Sequence, residues 1–371
     1  MSILQMLLPN GAGALAAMRG RGALRAWLYG VALLVFLMVL VGGATRVTQS
    51  GLSITRWQPI SGILPPLSEA AWQEEFANYK QIPQYTELNA DMNLAGFKNI
   101  FYWEWAHRLL ARLIGIAFIL PALWFRRSGQ LRGDFGRAVW AAAGFLALEP
   151  IVGWWMVVSG LRERVEVAQE RLALHLMIAS AVLGAVVWAA SLIRVSKPEA
   201  VSRRLAWLAL AMPVAIFVQL GLGALVAGLR AGLVYNTWPL MDGAWVPKGS
   251  FALTPWWANF FDDIGAVQFD HRVMAYGVVA LALALAISAQ RAAPGTALAR
   301  RCAAIAGLGV AQAGLGVATL LLVAPVGLAL AHQAFAMLLF GVSVYNAGVA
   351  FSSCDVSPAS ASPQRNLRAV A

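Results

Sequence analysis

Charged side chains are scarce in this sequence. They make up 12% of its 371 residues, about half the ~25% usual in soluble domains. With 60% of residues hydrophobic, that deficit excludes an ordinary soluble domain. Cysteine is scarcer still. Only Cys302 and Cys354 occur, both on or near apolar segments, so a disulfide across the outer loops is excluded. There is no HExxH pattern and no cysteine near any of the four histidines, which makes a zinc or copper site the lesser option. No cleavable signal peptide is expected, because the first apolar run is too long and arginines precede it. Residues 1–20 carry a single arginine and are not serine-rich, unlike a mitochondrial presequence.

What is present is a series of uncharged runs long enough to cross a bilayer. They fall at 26–45, within 138–158 (interrupted only by Glu149), at 172–193 and at 205–229. Another follows His271-Arg272 to Gln290. The stretch 302–354 has no charge at all and is split by "VAPVG" at 323–327. A less apolar span at about 105–125, with His107, Arg108 and Arg112 near its start, brings the total to eight. The expected fold class is an all-α integral membrane protein, its eight helices forming two pseudo-symmetric four-helix bundles with large outer loops.

The net charge of +11 has a topological reading. Arg19, Arg21 and Arg25 precede span one; Arg126, Arg127, Arg132 and Arg137 follow span two. Arg194, Lys197, Arg203 and Arg204 follow span four, and Arg291, Arg300 and Arg301 follow span six. The alternate loops are balanced or acidic. By the positive-inside rule both termini are cytoplasmic. The lipid bilayer is then the partner that composition demands, and no nucleic-acid partner is needed.

Two outer loops are long, 46–104 and about 229–270. In the first, "PPLSEAAWQEEFANYKQ" reads as a helix capped by Ser68. Trp72, Phe76 and Tyr79 form one apolar stripe on it, as expected of a lid packed on the outer mouth. The chain also repeats itself. His107-Arg108 opens span two as His271-Arg272 opens span six, and His175 and His332 open spans four and eight. "SGLSITRWQPISG" in the first half matches "AGLRAGLVYNTWPLMDG" in the second. The expected organisation is a cytoplasmic segment 1–25, a first half 26–196, a second half 197–350 joined near Lys197, and a disordered cytoplasmic tail 351–371.

Spans two, four, six and eight run in the same direction, so the four histidines are expected within the first turn or two of each, at one depth. Paired imidazoles from facing helices suit six-coordinate haem iron; isolated histidines could equally anchor an interface. Arg108, Arg272, Arg171 and Arg112 could pair with haem propionates or snorkel to the interface. Glycine-rich stretches at 153–155, 221–229 and 307–310 could admit a flat ring, though small-residue helix packing is the commoner use. The halves differ at one point. Glu104 precedes His107 by three residues, whereas Gln268 precedes His271. An acid beside one iron site could move protons or could be a solvated interfacial group.

Several stretches resemble the haem A synthase family: "GGATRVTQSGLSI" (42–54), "IFYWEWAHR" (100–108), "GWWMVVSGL" (153–161), "RLALH" (171–175), "YNTWPLMDG" (235–243), "VQFDHR" (267–272) and "HQ" (332–333). The resemblance covers about residues 30–345 and points to the proteobacterial and mitochondrial branch, without loop cysteines. It implies that haem O is the substrate, one ring methyl passing through an alcohol and a gem-diol to a formyl group. It implies a permanent haem b on His271 and His332, a haem O site at His107 and His175, and a chemical role for Glu104. It also implies a bacterial inner membrane location, an enzyme that supplies haem O, and an electron donor, with a homo-oligomer left open. The family commonly has Glu where this chain has Gly96, Gln-Gly where it has Glu149-Pro150, and Tyr where it has Glu170. Glu149 could serve a proton path or sit neutral and hydrogen-bonded; Glu170 is expected to compete for Arg171. The alternative is a bis-histidine electron-transfer cytochrome b with two permanent haems. A transporter with symmetric halves fits less well, because the span interiors lack charges apart from Glu149.

Overall fold

The computed structural model of the chain describes residues 8–58, 61–162, 164–193 and 201–354. Eight of its helices are long and apolar enough to cross a membrane. They are α1 (Leu8–Val47), α3 (Leu94–Arg127), α4 (Gly133–Arg162), α5 (Gln169–Leu192), α6 (Arg203–Gly228), α8 (Ile264–Ala292), α9 (Ala297–Leu321) and α10 (Val326–Cys354). Two shorter helices lie in the long loops, α2 (Glu69–Tyr79) and α7 (Asn259–Asp262). Helix satisfies every backbone polar group internally, which hydrocarbon requires. This is an all-α, multi-pass integral membrane protein.

The spans follow the apolar runs, with two informative differences. α3 begins at Leu94, eleven residues before the expected start of span two. His107 therefore lies more than three turns into its helix, not in the first two. Asn93 caps this early start by accepting from Gly96 N at 2.9 Å, and the extra turns carry Phe97 and Phe101 into the lid. α4 runs unbroken through Pro150. Proline removes one backbone hydrogen bond and disfavours a helix interior in water, but membrane helices accommodate it. The break within 302–354 falls where "VAPVG" placed it. Val323 and Ala324 adopt positive φ there, and Ala324 N donates to Thr319 O at 2.8 Å.

Each half is a four-helix unit. In the second, α6, α8, α9 and α10 pack in a closed ring. In the first, α1 packs on α3 and α5, and α4 on α5, while α3 and α4 touch only slightly. α5, α6 and α10 join the halves, and one apolar core runs through both, from Leu28 and Val186 to Leu285 and Met337. The expected junction at Lys197 lies outside the described residues, as does the tail from 355; residues 351–354 still belong to α10.

The lid forms as its stripe suggests. Ser68 Oγ accepts from Ala71 N at 3.2 Å. Trp72, Phe76 and Tyr79 are buried against Phe97 and Phe101 of α3. Past the lid helix, Tyr79 donates its hydroxyl to Gln84 Oε1 at 3.0 Å. Gln84 Nε2 reaches Gln49 O at 3.2 Å and Val165 O at 3.3 Å. The lid is thereby tied to the ends of α1 and α4, over the face that carries the long loops.

Candidate functional site

Four odd-numbered spans and four even-numbered spans meet in the same way. Each even span contributes a histidine, and the span before it contributes a glycine that faces the ring. A Cβ added at Gly42 (α1) would stand 3.2 Å from His107 Nε2, and one at Gly153 (α4) 3.3 Å from His175 Cε1. At Gly223 (α6) it would stand 3.1 Å from His271 Cε1, and at Gly316 (α9) 2.8 Å from His332 Cε1. All four are cradles that any other residue would crowd. Two of the rings, His107 and His175, belong to helices of the first half, and two, His271 and His332, to helices of the second.

A second layer touches the rings. Gln219, one turn before Gly223, donates its amide to His271 O at 3.0 Å and lies 3.0 Å from His271 Nδ1. Gln312, one turn before Gly316, donates to His332 O at 3.0 Å and lies 3.1 Å from His332 Nδ1. Glu149, one turn before Gly153, places Oε2 2.7 Å from His175 Nδ1. That contact is short without hydrogen-bond alignment: His175 Nδ1 and Glu149 Oε1 have no hydrogen-bond partner. α1 has Met38 at the corresponding position. Sequence reasoning treated most of these glycine stretches as helix packing, and missed Gln219 and Gln312. That reading holds for Gly309, which meets Ala282, but Gly153 and Gly223 line the histidines. The available signal was a Glu or Gln four residues before a glycine, repeated on spans three, five and seven.

Glu104 is buried and fully engaged. Its Oε1 accepts from Arg108 Nη2 at 2.6 Å, and its Oε2 from Ser53 Oγ and Ile54 N, each at 2.8 Å. It is not a solvated interfacial acid. The second half repeats the motif with an amide: Gln268 Oε1 accepts from Arg272 Nη2 at 2.8 Å, and its Nε2 donates to Ala231 O and Val234 O, each at 2.6 Å. Both arginines then staple a loop. Arg108 Nη2 donates to Ile54 O and Nη1 to Arg56 O; Arg272 Nη2 donates to Tyr235 O and Nη1 to Thr237 O. The two loop sequences matched above are docked by the same hardware.

The other arginines are also held. Arg112 Nη2 donates to Gln58 O at 3.0 Å. Arg171 donates to Trp155 O at 2.9 Å and stacks on the Trp155 ring at 4.2 Å. Glu170 is exposed and makes no ion pair with Arg171 among the described residues, so the expected competition for that arginine is not realised. Donors are still to spare: Arg171 Nε and Arg272 Nε are buried without partners. Two imidazoles per half, a glycine cradle at each ring and unspent guanidinium donors fit a flat, iron-centred, carboxylate-bearing macrocycle.

The seam between the halves is polar at one end. Glu166 pairs with Arg46 at 2.8 Å and with Arg230, the first on α1 and the second just beyond α6. Deeper in, Gln333, next to His332, donates to Val39 O at 2.8 Å. A Cβ at Gly43 would strike its Oε1 at 2.3 Å.

Comparison with known proteins adds a lineage to this geometry. The family model described as "Cytochrome oxidase assembly protein" matches residues 25–344. A haem A synthase of Rhodopseudomonas palustris (strain BisA53) is 53% identical over 331 residues, covering 89% of this chain and 91% of that protein. One from Methylobacterium sp. (strain 4-46) is 51% identical over 337 residues, covering 90% and 94%. One from Beijerinckia indica subsp. indica is 52% identical over 342 residues, covering 90% and 95%.

Proposed function

Since the chain belongs to the cytochrome oxidase assembly protein family, we propose that it is a haem A synthase that oxidises one ring methyl of haem O to a formyl group. The observation that carries the reading is the asymmetry between two otherwise matched histidine pairs. The pair His107/His175 has Glu104, which holds the stapling Arg108, and Glu149 at the ring. The matching positions beside His271/His332 hold the amides Gln268 and Gln312, with Gln219 a third. Acid–base work belongs where acids are, so the first half takes the substrate and the second a permanent haem b.

His271 and His332 would hold haem b, with Arg272 offering Nε to a propionate. When bound, haem b supplies one-electron exchange with the substrate side. His107 and His175 would receive the iron of haem O, with Arg171 and the Arg108–Arg112 edge beside it. Each of two steps replaces a methyl C–H by C–OH. With dioxygen as the oxidant, one oxygen atom would enter the substrate and the other would leave as water, the two electrons coming from the separate donor and the two protons from solvent. The first step gives an alcohol and the second a gem-diol, which sheds water as the aldehyde forms. Glu104 is the carboxyl assigned to proton transfer in those steps; its Oε2 is linked to the Ser53 hydroxyl. The lid and the stapled loop exclude bulk water from this side. In this reading the protein spans a bacterial inner membrane with both termini cytoplasmic and the histidines toward the outer face, as the arginine-rich alternate loops favour. Haem O comes from a separate enzyme and electrons from a separate donor.

The test is to purify the full chain from cells supplied with haem O, extract the non-covalent haems and identify them by chromatography and mass. Haem B together with haem O, its hydroxylated form or haem A is the expected result. Haem B alone, at two per chain, would overturn the reading in favour of an electron-transfer cytochrome.

A further inference from the structure

Three of the four histidines have a polar side chain at Nδ1, offered from one turn before the glycine that faces the ring. Two of these are amides and one, Glu149, is a carboxyl. The difference is chemical. An amide can present either its oxygen or its NH₂ to a ring nitrogen, and so accepts either imidazole tautomer. A carboxyl oxygen turned to the ring can act as an acceptor. An iron on Nε2 would leave the ring proton on Nδ1, and Glu149 Oε2 stands 2.7 Å from that nitrogen. Glu149 has no other ion-pair partner among the described residues, and its side chain is 17% exposed. An acid held inside a span with nothing but a histidine ring to face is a functional group by default. A histidine χ2 torsion is soft, so aligning the 2.7 Å contact into a hydrogen bond needs little.

We propose that Glu149 is a positioning residue: it fixes the ring and tautomer of His175 and makes the first-half iron harder to reduce than the second-half iron. This role rests on the function proposed above and deepens it. A carboxyl accepting from Nδ1–H raises the electron density at Nε2 and strengthens its bond to the more positive, ferric state. An amide does so less. Met38, at the same position on α1, gives His107 no comparable partner, so among the described residues the bias on the substrate side comes from Glu149.

The test is a spectroelectrochemical titration of the full chain loaded with both haems, in wild type, Glu149→Gln and Gln312→Glu. Glu149→Gln copies the residue type of the other two sites. It is expected to ease reduction of the first-half haem by roughly tenfold, about 59 mV for one electron, leaving haem b unmoved. Gln312→Glu is expected to shift haem b in the opposite sense. An unchanged first-half potential in Glu149→Gln, with haem content intact, overturns the assignment. Haem content is scored in His175→Ala alongside. If it does not fall, the first half holds no haem on this histidine, and the underlying function is what fails.

Discussion

Glu104 and Gln268 hold the same place in the two halves. Each reaches the arginine one turn further along its helix, at 2.6 Å for Glu104 Oε1 to Arg108 Nη2 and 2.8 Å for Gln268 Oε1 to Arg272 Nη2. Each also meets the backbone of the loop that the arginine staples. One half has an acid that accepts from a loop N–H, the other an amide that donates to loop carbonyls, so each loop backbone is turned to suit its own partner.

Glu104→Gln keeps an acceptor for Arg108 but turns an NH₂ toward Ile54 N–H. It is therefore expected to fold and to bind haem, at a cost of about 1–3 kcal/mol for the stranded donor. Methyl oxidation should fall by roughly 10²–10⁴-fold, the usual worth of a positioned acid–base group, with haem O accumulating in extracts. Normal haem A output from this variant would remove Glu104 from the chemistry. Glu104→Ala should do something different. It strands Arg108, Ser53 and Ile54 N, and removing one side of a buried pair costs about 3–5 kcal/mol, read as a lower thermal midpoint in detergent.

His271→Ala and His332→Ala are each expected to abolish stable haem b, while His107→Ala retains it. Absorbance of the reduced protein, with haem extraction, decides the matter. Full b-type absorbance in both second-half variants would refute the ligand assignment.

The glycine cradles give a sharper contrast. Gly316→Ala places a methyl 2.8 Å from His332 Cε1, whereas a Cβ at Gly307, on the same helix, meets nothing within 4 Å. Gly316→Ala should weaken haem b retention by roughly 10–100-fold, the range for disturbed ligand surroundings. Gly307→Ala should be silent or slightly stabilising, since alanine is the better helix former. Equal haem retention in the two variants would show that the cradle is incidental.

The lid carries a pH dependence of its own. Burial, with Glu74 beside it, pushes the Glu75 carboxyl above its ordinary value against the pull of Arg56. The unfolded chain then releases this proton first, from about pH 4.3 upward. Stability is lost as pH rises from there through the raised folded value, and it stays lost above. Glu75→Gln should therefore leave the lid unchanged at pH 4 and protect residues 69–79 from proteolysis at pH 7. Protection equal to wild type at both would contradict this.

The spans, the lid and the pairing of histidines were legible because each leaves a periodic or repeated mark. Ser68 with Trp72, Phe76 and Tyr79 is one such mark, and the recurrence of His-Arg is another. The early start of α3 left little mark, because its first turns are neither a clean apolar run nor a loop; they are ordered by packing Phe97 and Phe101 against the lid. The ring contacts of Glu149, Gln219 and Gln312 depend on the rotation of one helix against the next. That rotation is fixed by tertiary packing, not by any single span. The arginines show the same limit: the loop carbonyls that Arg108, Arg112 and Arg272 donate to lie 32 to 54 positions away.

Gln333 sits beside His332 and presses on Gly43, whose neighbour Gly42 faces His107. Two consecutive residues on each side thus form a party wall shared by both rooms. The halves can be told apart in sequence, yet neither is expected to stand alone when cut from the other. A piece ending near residue 196 would lose the helix that braces α1, and a piece beginning there would expose the flank of α10. Each half supplies part of the wall that closes the other.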